Sequence, residues 1–567
     1  MNFRLLSLNV LLAVAITACS YENPLQTTKN VPDDADPGLT DRTLSQPVEE
    51  IVRLKRPERQ TKFTHNQSMA APVSAVSVEK ERAEGKRTQT YQQGTLTNRD
   101  QFAGLVENGV KLVTEHPLST FSIDVDTGSY SLVRKYLSQG QLPPANAVRS
   151  EELINYFKYH FPKAQQADHP FVISSEITRT PWNENTHILQ VGVQGYQPQL
   201  KPRPAANLVF LIDVSGSMQA PDKLPLLKNA FRLLVNQLKA EDRITLVVYA
   251  GASGVVLKPT AGNQQADILN ALGQLSAGGS THGSAGIEQA YAMAQQSFIE
   301  GGINRVILAT DGDFNVGTVN HEALLNLVER KKQKGISLTT LGFGSGNYND
   351  HLMEQLADHG DGNYAYIDNL AEARKVLVEQ MDATLEIIAR DVKLQIEWNP
   401  QLVYEYRLIG YENRVLQRED FNNDKVDAGD IGAGHTVTAL YEITLNQDVA
   451  KRIPELRYQA ASTTQVHSDE LAMINCRYKL PEQDNSRLIS QVIQRQQVQP
   501  ELSRASNDLR FAAAVAAYAE QLRGGDHLHD FGYEKIIQLA RSARGSDESG
   551  HRSAFLSLVA LAQSLDS

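Results

Sequence analysis

The chain has 567 residues and a formal net charge of −11 at pH 7. At about 150 residues per domain, this length predicts three or four domains. The mildly acidic balance argues against nucleic acid as the main partner. Only two cysteines occur, Cys19 and Cys476, so the fold does not depend on a network of disulfides.

The first residues predict an exported protein. Residues 1–18 contain an apolar run, Leu5–Ile16, that is too short to span a bilayer as a stable anchor. The run leads into Ile16-Thr17-Ala18-Cys19, which resembles a bacterial lipobox. That resemblance implies a lipoprotein signal peptide cut before Cys19, with the lipid attached to Cys19. Because Ser20 follows, resemblance to lipoprotein sorting signals favours an outer-membrane lipoprotein facing the periplasm; a plain secretory leader is the alternative.

Whether the second cysteine can form a disulfide depends on whether the first one carries a lipid. If Cys19 carries a lipid, Cys476 has no partner for an intramolecular disulfide. Cys476 lies between Ile474 and Tyr478, which predicts a buried strand residue, and a reactive thiol is the alternative.

The segment after the leader predicts a disordered tether. Residues 19–98 are rich in Pro, Thr, Gln and Ser and poor in aromatic residues. A segment of this composition buries too little apolar surface to fold on its own. We therefore expect a flexible connection between the lipid and the folded part.

Residues 99–164 predict a small α+β element with one strand, Thr120–Val125, and two helices, Ser129–Ser138 and Arg149–Tyr159. Between strand and first helix stands Asp126-Thr127-Gly128-Ser129, which matches the aspartic-protease signature. That chemistry needs two such carboxylates, and the chain has no second D-[ST]-G sequence. We therefore interpret this segment as a strand-to-helix turn in which Asp and Ser cap the helix.

Strand-like alternation flanks the centre of the chain on both sides. It predicts a split β domain, sandwich-like in architecture, formed by residues 165–202 together with 386–482. Domain termini usually lie close together, so a compact domain over 203–385 can interrupt such a sandwich. The predicted strands are Phe171–Thr178, His187–Val193, Val392–Trp398, Leu402–Leu408, His435–Leu445 and Glu470–Lys479.

Residues 203–385 predict an α/β domain, a doubly wound and mostly parallel sheet. Buried-strand runs alternate with amphipathic helices, a pattern typical of βαβ units. The predicted strands are Asn207–Ile212, Arg243–Tyr249, Arg305–Thr310 and Ile336–Phe343. The predicted helices are Leu224–Leu238, Ala266–Leu275, Ser284–Ser297, Glu322–Lys334 and Ala371–Leu385.

Oxygen-bearing side chains follow these predicted strands. Asp213, Ser215 and Ser217 form a D-x-S-x-S cluster directly after a strand, and Asp311 follows another. Thr281 closes the Gly-rich turn 278–281. Carboxylates and hydroxyls suit Mg²⁺ or Ca²⁺ rather than zinc or copper. A polar sheet edge without an ion is the alternative.

Taken together, these three pieces resemble the metal-ion-dependent adhesion site of the von Willebrand factor type A (VWA) domain, over roughly residues 203–385. The resemblance implies direct ligation of Mg²⁺ by Ser215, Ser217 and Thr281, with Asp213 and Asp311 acting mostly through water. It also implies an open position on the ion for an acidic side chain of a partner protein. Ca²⁺ or Mn²⁺ are the other candidate ions.

Residues 484–567 predict a C-terminal helical domain. Its first long helix has a face of small residues, including Ala512 and Ala516, and ends at Gly524-Gly525. The whole layout resembles a family of bacterial lipoproteins with an N-terminal extension, a central VWA domain and a helical C-terminal domain. The segments Phe121–Phe161 and Phe531–Leu565 look like the flanking domains of that family.

Three functions are consistent with these patterns. The leading hypothesis is a membrane-tethered scaffold or adhesion module of the cell envelope that binds a protein partner through Mg²⁺ and is not an enzyme. The second is a metal-dependent hydrolase or peptidase, for which the sequence offers no convincing pair of base and nucleophile. The third is a structural lipoprotein in which the metal only stabilises the fold.

Overall fold

The structure is a computed structural model that describes residues 100–163, 169–197, 203–281, 283–312, 314, 321–448, 451–453 and 469–567. The predicted signal peptide, Cys19 and the predicted tether of residues 19–98 lie outside the described residues. None of the described helices is long and apolar enough to cross a membrane.

The described strands, in chain order, are β1 (Lys111–Leu112), β2 (Leu118–Ser122), β3 (Phe171–Thr180), β4 (Asn183–Gly195), β5 (Ala206–Asp213), β6 (Arg243–Tyr249), β7 (Ser253–Ala261), β8 (Ile303–Thr310), β9 (Ser337–Phe343), β10 (Tyr364–Ile367), β11 (Ile387–Trp398), β12 (Val403–Ile409), β13 (Ile431–Gly432), β14 (Thr436–Leu445), β15 (Glu470–Lys479) and β16 (Arg487–Gln494). The described α-helices are α1 (Gly128–Ser138), α2 (Ser150–Asn155), α3 (Leu224–Val235), α4 (Gln265–Gln274), α5 (Gly283–Gln296), α6 (His321–Lys332), α7 (Asp350–His359), α8 (Leu370–Arg374), α9 (Met381–Leu385), α10 (Asn507–Arg523), α11 (Tyr533–Ser542) and α12 (His551–Leu565).

The central domain is a doubly wound sheet with strand order β10-β9-β8-β5-β6-β7. Pairing is parallel except between β6 and β7. Helices cover both faces, because alternate residues of β5 enter two different cores: Phe210 packs with α3, and Leu211 packs with α5. The predicted α/β fold class is confirmed. Strand β7 was not predicted, because this edge strand is partly exposed and lacks a continuous apolar run.

Around this domain, strands from both flanks form a sandwich of two sheets. One sheet has the order β1-β12-β14-β4-β3, and the other pairs β13, β11, β15 and β16 in that order, with β2 also on β11. Side chains from both sheets share one apolar core, which contains Val191, Leu394 and Tyr441. Cys476 is fully buried in this core, as the alternation predicted, and burial raises the pKa of its thiol.

The N-terminal segment is not an independent element, contrary to the prediction for 99–164. Its strands join the sandwich, since β1 pairs with β12 and β2 pairs with β11. Its helices instead pack with the C-terminal helices, where Tyr130 and Phe157 share a core with Phe511. Two short strands and two helices cannot bury a core of their own, so they complete the cores of their neighbours.

The segment from residue 484 onward was predicted to be helical, but its first part forms a strand. Residues Arg487–Gln494 form β16, which pairs antiparallel with β15. Most side chains of this edge strand are exposed or half-buried, so its alternation is weak in the sequence. The helical part begins with α10, whose alanine-rich length is buried between α11, α2 and neighbouring strands. The predicted helix Ala371–Leu385 also differs, because a π-helical turn, Lys375–Glu379, separates α8 from α9.

Candidate metal centre

The predicted site residues gather at the carboxyl edge of the central sheet. Strands β5 and β8 are parallel neighbours, with Ile212 opposite Ala309. Asp213 therefore ends one strand beside the end of the other, where Asp311 follows Thr310. This edge is where ligands bind in open α/β sheets.

Asp213 is fully buried and organises the loop above it. Its Oδ1 accepts a hydrogen bond from the backbone N–H of Ser215 at 2.8 Å. Its Oδ2 accepts from the hydroxyls of Tyr249 at 3.2 Å and Thr310 at 3.1 Å. Burial raises the pKa of Asp213 to about 6, with a further contribution from the charge of Asp311, against the hydrogen bonds from Ser215. Its carboxylate is thus held in one orientation by three donors.

The two serines present their hydroxyls side by side. Ser215 is buried and Ser217 is exposed, and their Oγ atoms lie 2.9 Å apart. Ser217 belongs to a single 3-10 turn, Gly216–Gln219, that directly follows Ser215. Two oxygens at this separation can contact the same small cation, because oxygen ligands of one ion are typically neighbours.

Thr281 lies in a loop that is joined to the serine loop through backbone hydrogen bonds. The N–H of Gly216 donates to the carbonyl of Gly279 at 3.0 Å, and the N–H of Gly278 donates to the carbonyl of Val214 at 2.8 Å. Gly279 has a φ of +89°, a conformation that favours glycine. Thr281 is half-buried two residues further on, so its loop is anchored beside Ser215 and Ser217.

Asp311 is buried and forms an ion pair with Lys223, whose Nζ lies 2.8 Å from its Oδ2. The lysine stem packs on Gly344, where an added Cβ would stand 2.3 Å from Lys223 Cε. The sequence pattern did not identify Lys223. Its partner is 88 residues away in the chain, so no local spacing connects the two.

The donor chemistry fits a divalent cation that prefers oxygen. The site combines hydroxyls with only two carboxylates, and the Lys223 ammonium pairs with one oxygen of Asp311. A cation at this edge is therefore compatible with the residues present. Its direct ligands would be the hydroxyls of Ser215, Ser217 and Thr281. The carboxylates of Asp213 and Asp311 would act mostly through water.

The protease-like sequence has a different role from catalysis. Asp126 Oδ1 accepts a hydrogen bond from the backbone N–H of Tyr364 in β10 at 2.9 Å. An added Cβ at Gly128 would stand 2.2 Å from the Tyr364 ring. The predicted capping of α1 by Asp and Ser is wrong, because its N-terminus at Thr127 has no side-chain cap. The turn instead docks the N-terminal segment onto the edge of the central sheet.

Three family models match the chain. The von Willebrand factor type A domain matches residues 207–380, which confirms the VWA assignment of the central domain. A model described as von Willebrand factor matches residues 96–190, and one described as uncharacterized protein YfbK, C-terminal, matches residues 383–565. The three matches follow one another along the described part of the chain.

Several proteins are similar to this chain. Inter-alpha-trypsin inhibitor heavy chain H3 of Homo sapiens is 26% identical over 289 residues, which are 47% of this chain and 31% of that protein. The solved structure of a von Willebrand factor type A protein from Catenulispora acidiphila is 17% identical and covers 69% of this chain and 90% of its own, with a TM-score of 0.39.

The uncharacterized protein YfbK of Escherichia coli (strain K12) is 44% identical over 491 residues, which are 85% of this chain and 83% of that protein. Similarity of this degree extends over the central domain and both flanks. The chain therefore belongs to the YfbK family of proteins with a VWA domain.

Proposed function

We propose that this protein binds a partner protein through a divalent cation held at the edge of its VWA domain. The cation is Mg²⁺, with Ca²⁺ or Mn²⁺ as alternatives, and the partner offers an acidic side chain to it. The observation that carries this proposal is the convergence of Asp213, Ser215, Ser217 and Asp311 at one sheet edge, beside the anchored loop of Thr281.

The balance of ligands supports binding of an acidic group. Two serine hydroxyls and one threonine hydroxyl are neutral, so they leave most of the charge of the ion uncompensated. The two carboxylates are already engaged, Asp213 by three hydrogen bonds and Asp311 by Lys223. An electron-poor ion with an open position attracts a carboxylate from outside.

The same contacts favour a binding protein over the hydrolase alternative. A metal-dependent hydrolase needs a general base that can take a proton from the attacking water. Asp213 is buried beneath the serine loop, and Asp311 is paired with an ammonium group. Neither of these described carboxylates is oriented as such a base.

The metal site is tested by isothermal titration of the full chain with Mg²⁺. Asp213→Ala removes the carboxylate that orients the loop, and the affinity for Mg²⁺ should fall by about 10–100-fold. Folding should survive, because β5 is held by its apolar residues. Asp267→Ala, at an exposed position of the same domain, is the matched control and should bind Mg²⁺ like the wild type.

Two results would contradict parts of this proposal. Equal Mg²⁺ affinity in wild type and Asp213→Ala would reject the site. A collapsed melting curve for Asp213→Ala, or for wild type stripped of metal, would favour a metal that only stabilises the fold. Cross-linking from intact cells, with and without a chelator, then reports whether capture of a partner depends on the ion.

We further propose that a lipid on Cys19 tethers the protein to the cell envelope, at the outer membrane facing the periplasm. The Ile16–Cys19 sequence supports this. Cys19→Ala should leave the leader uncut or release the protein from the membrane fraction, whereas Cys476→Ala should not. Unchanged processing and fractionation of Cys19→Ala would reject the anchor.

A further inference from the structure

A cavity of about 280 Å³ lies where several parts of the described chain meet. Its walls come from the segment after α2, the π-helical turn between α8 and α9, the residues between β13 and β14, and the start of α12. None of the residues of the metal site lines it. A ligand here would contact the VWA domain, the sandwich and the helical part at once.

The cavity is lined by a buried lysine without a hydrogen-bond acceptor. Lys375 is 4% exposed, and its Nζ has no hydrogen-bond partner among the described residues. The ammonium lies 3.1 Å from the centre of the Tyr156 ring and 3.8 Å from Glu372 Oε1. Burial lowers the pKa of Lys375 to about 8, against the attraction of Glu372. A cation buried in this way is costly unless an anion completes its surroundings.

Glu372 attracts the ammonium of Lys375 but accepts no hydrogen bond from it, and other groups donate to its second oxygen. Its Oε2 accepts hydrogen bonds from Arg134 at 2.7 Å and from the Tyr156 hydroxyl at 2.7 Å. The distance from Lys375 to its remaining oxygen exceeds that of a hydrogen bond. Lys375 is therefore left with the face of an aromatic ring as its close contact.

Two histidines line the same cavity around Lys375. The Nδ1 atom of His435 is buried and has no hydrogen-bond partner among the described residues. Burial, followed by the charges of Lys158 and Lys375, lowers the pKa of His435 to about 4. Burial, followed by the charge of Lys375, also lowers the pKa of His551. Both imidazoles thus lie near the positive charge of Lys375.

The remaining charged residues of the cavity do not neutralise Lys375. Arg552 donates to Asp508 and to backbone carbonyls, and Asp547 accepts from backbone N–H groups at the start of α12. Glu548 is exposed, and the Glu379 side chain is 37% exposed. Asp547 is therefore engaged and the two glutamates are exposed to solvent, whereas Lys375 Nζ and His435 Nδ1 are buried.

We propose that this cavity binds a small anion whose carboxylate or phosphate group contacts Lys375 and His435. An oxyanion accepts charge-assisted hydrogen bonds from an ammonium and an imidazole N–H, which satisfies both orphaned groups at once. A metal ion is disfavoured, because the ammonium repels it. The π-helical turn, an irregularity that often marks functional sites, begins at Lys375 and ends at Glu379, and both residues line the cavity.

The test is thermal unfolding of the full chain with inorganic phosphate and, separately, with succinate, each matched in ionic strength by potassium chloride. A ligand that binds only the native state raises Tm with its concentration. We expect a rise of roughly 3 °C at about one hundred times the dissociation constant. A rise with phosphate alone assigns a phosphate group, a rise with succinate alone assigns a carboxylate, and no rise with either overturns the proposal.

Variants connect the effect to the cavity. Lys375→Met preserves length and removes the ammonium, so the rise in Tm should disappear. Lys535→Met, at an exposed lysine on α11, should behave like the wild type. An equal rise in Lys375→Met would show a general salt effect and overturn the proposal. If Lys375→Met does not fold, His435→Gln is the second test. The rise in Tm should be smaller in His435→Gln than in Lys535→Met, and an equal rise in these two variants would overturn the proposal.

Discussion

The acidic residues at the edge of the VWA sheet and those buried against the N-terminal segment differ in what balances their charge. At the sheet edge, Asp213 and Asp311 stand among hydroxyls, with the single ammonium of Lys223 beside them. The second group, which we name the buried joint, comprises Asp124, Asp126, Glu151, Glu152, Asp350 and Glu354 together with Arg149 and Arg414. There two guanidinium groups supply the positive charge.

The buried joint satisfies a simple geometric criterion for a metal site, since Asp124, Glu152 and Glu354 bring oxygen atoms within 4.8 Å of one another. Each of these three residues nevertheless accepts a hydrogen bond from an arginine. Arg149 donates to Glu152, and Arg414 donates to Asp124 at 3.1 Å and to Glu354 at 3.3 Å. Proximity of carboxylates therefore does not by itself define a cation site. Access and the availability of oxygen lone pairs decide it.

Loss of an arginine from the buried joint should destabilise the fold strongly, because buried acids depend on it. Arg149→Met should lower the free energy of unfolding by about 3–5 kcal/mol, because it leaves the buried Glu152 and Asp350 without their cation. Urea unfolding measures the change. Arg330→Met, at an exposed position of α6, is the control and should change stability by less than about 0.5 kcal/mol. A loss below about 1 kcal/mol for Arg149→Met would contradict this account of the joint.

A second effect of the joint appears in its pH dependence. Burial, followed by the charge of Glu412, raises the pKa of Glu151 from 4.5 to about 8. Between these values the native state keeps a proton that the unfolded state loses, so stability falls as pH rises. Glu151→Gln should flatten this fall. Relative to the wild type, the free energy of unfolding of the variant should be higher at pH 8 than at pH 5 by on the order of 2 kcal/mol.

The measurement is the free energy of unfolding in urea from pH 5 to pH 9. The glutamine can still accept the hydrogen bond that Glu151 takes from the Tyr411 N–H at 2.9 Å. Glu482→Gln, at an exposed glutamate, should leave the wild-type slope unchanged. A slope in Glu151→Gln equal to that of the wild type would mean that another group carries the pH dependence.

The two regions also differ in how far the sequence predicts them. Asp213 and Asp311 follow continuous apolar runs, and the carboxyl ends of parallel strands meet at one edge, so local pattern places them together. The buried joint draws its residues from separate segments; Arg414 and Asp124 are 290 residues apart. No periodicity connects such residues, because their contact exists only after the cores have assembled.

The same reason explains the errors in the flanks. Strand β16 has a single buried residue, Ile493, so it lacks the alternation that identified β15. The strands β1 and β2 are too short to be independent, and their partners lie far along the chain in β12 and β11. The protease-like Asp126 was correctly assigned to a turn, but its acceptor role toward Tyr364 depends on a tertiary contact.

At the sheet edge a lysine, and not an arginine, balances the charge of a buried aspartate. Lys223 lies 2.8 Å from Asp311, on a stem that packs against Gly344. A divalent cation that draws on Asp311 must compete with this ammonium, whereas the guanidinium groups of the joint cannot be displaced without exposing buried acids. Lys223→Met should therefore raise the affinity for Mg²⁺ by about tenfold, the equivalent of one charge-assisted hydrogen bond.

Isothermal titration measures this affinity, with Lys258→Met, exposed in β7, as the control. If neither wild type nor Lys223→Met binds Mg²⁺, the metal site itself is wrong; if both bind it equally, Lys223 moves aside without cost, and the ion pair with Asp311 does not tune the site.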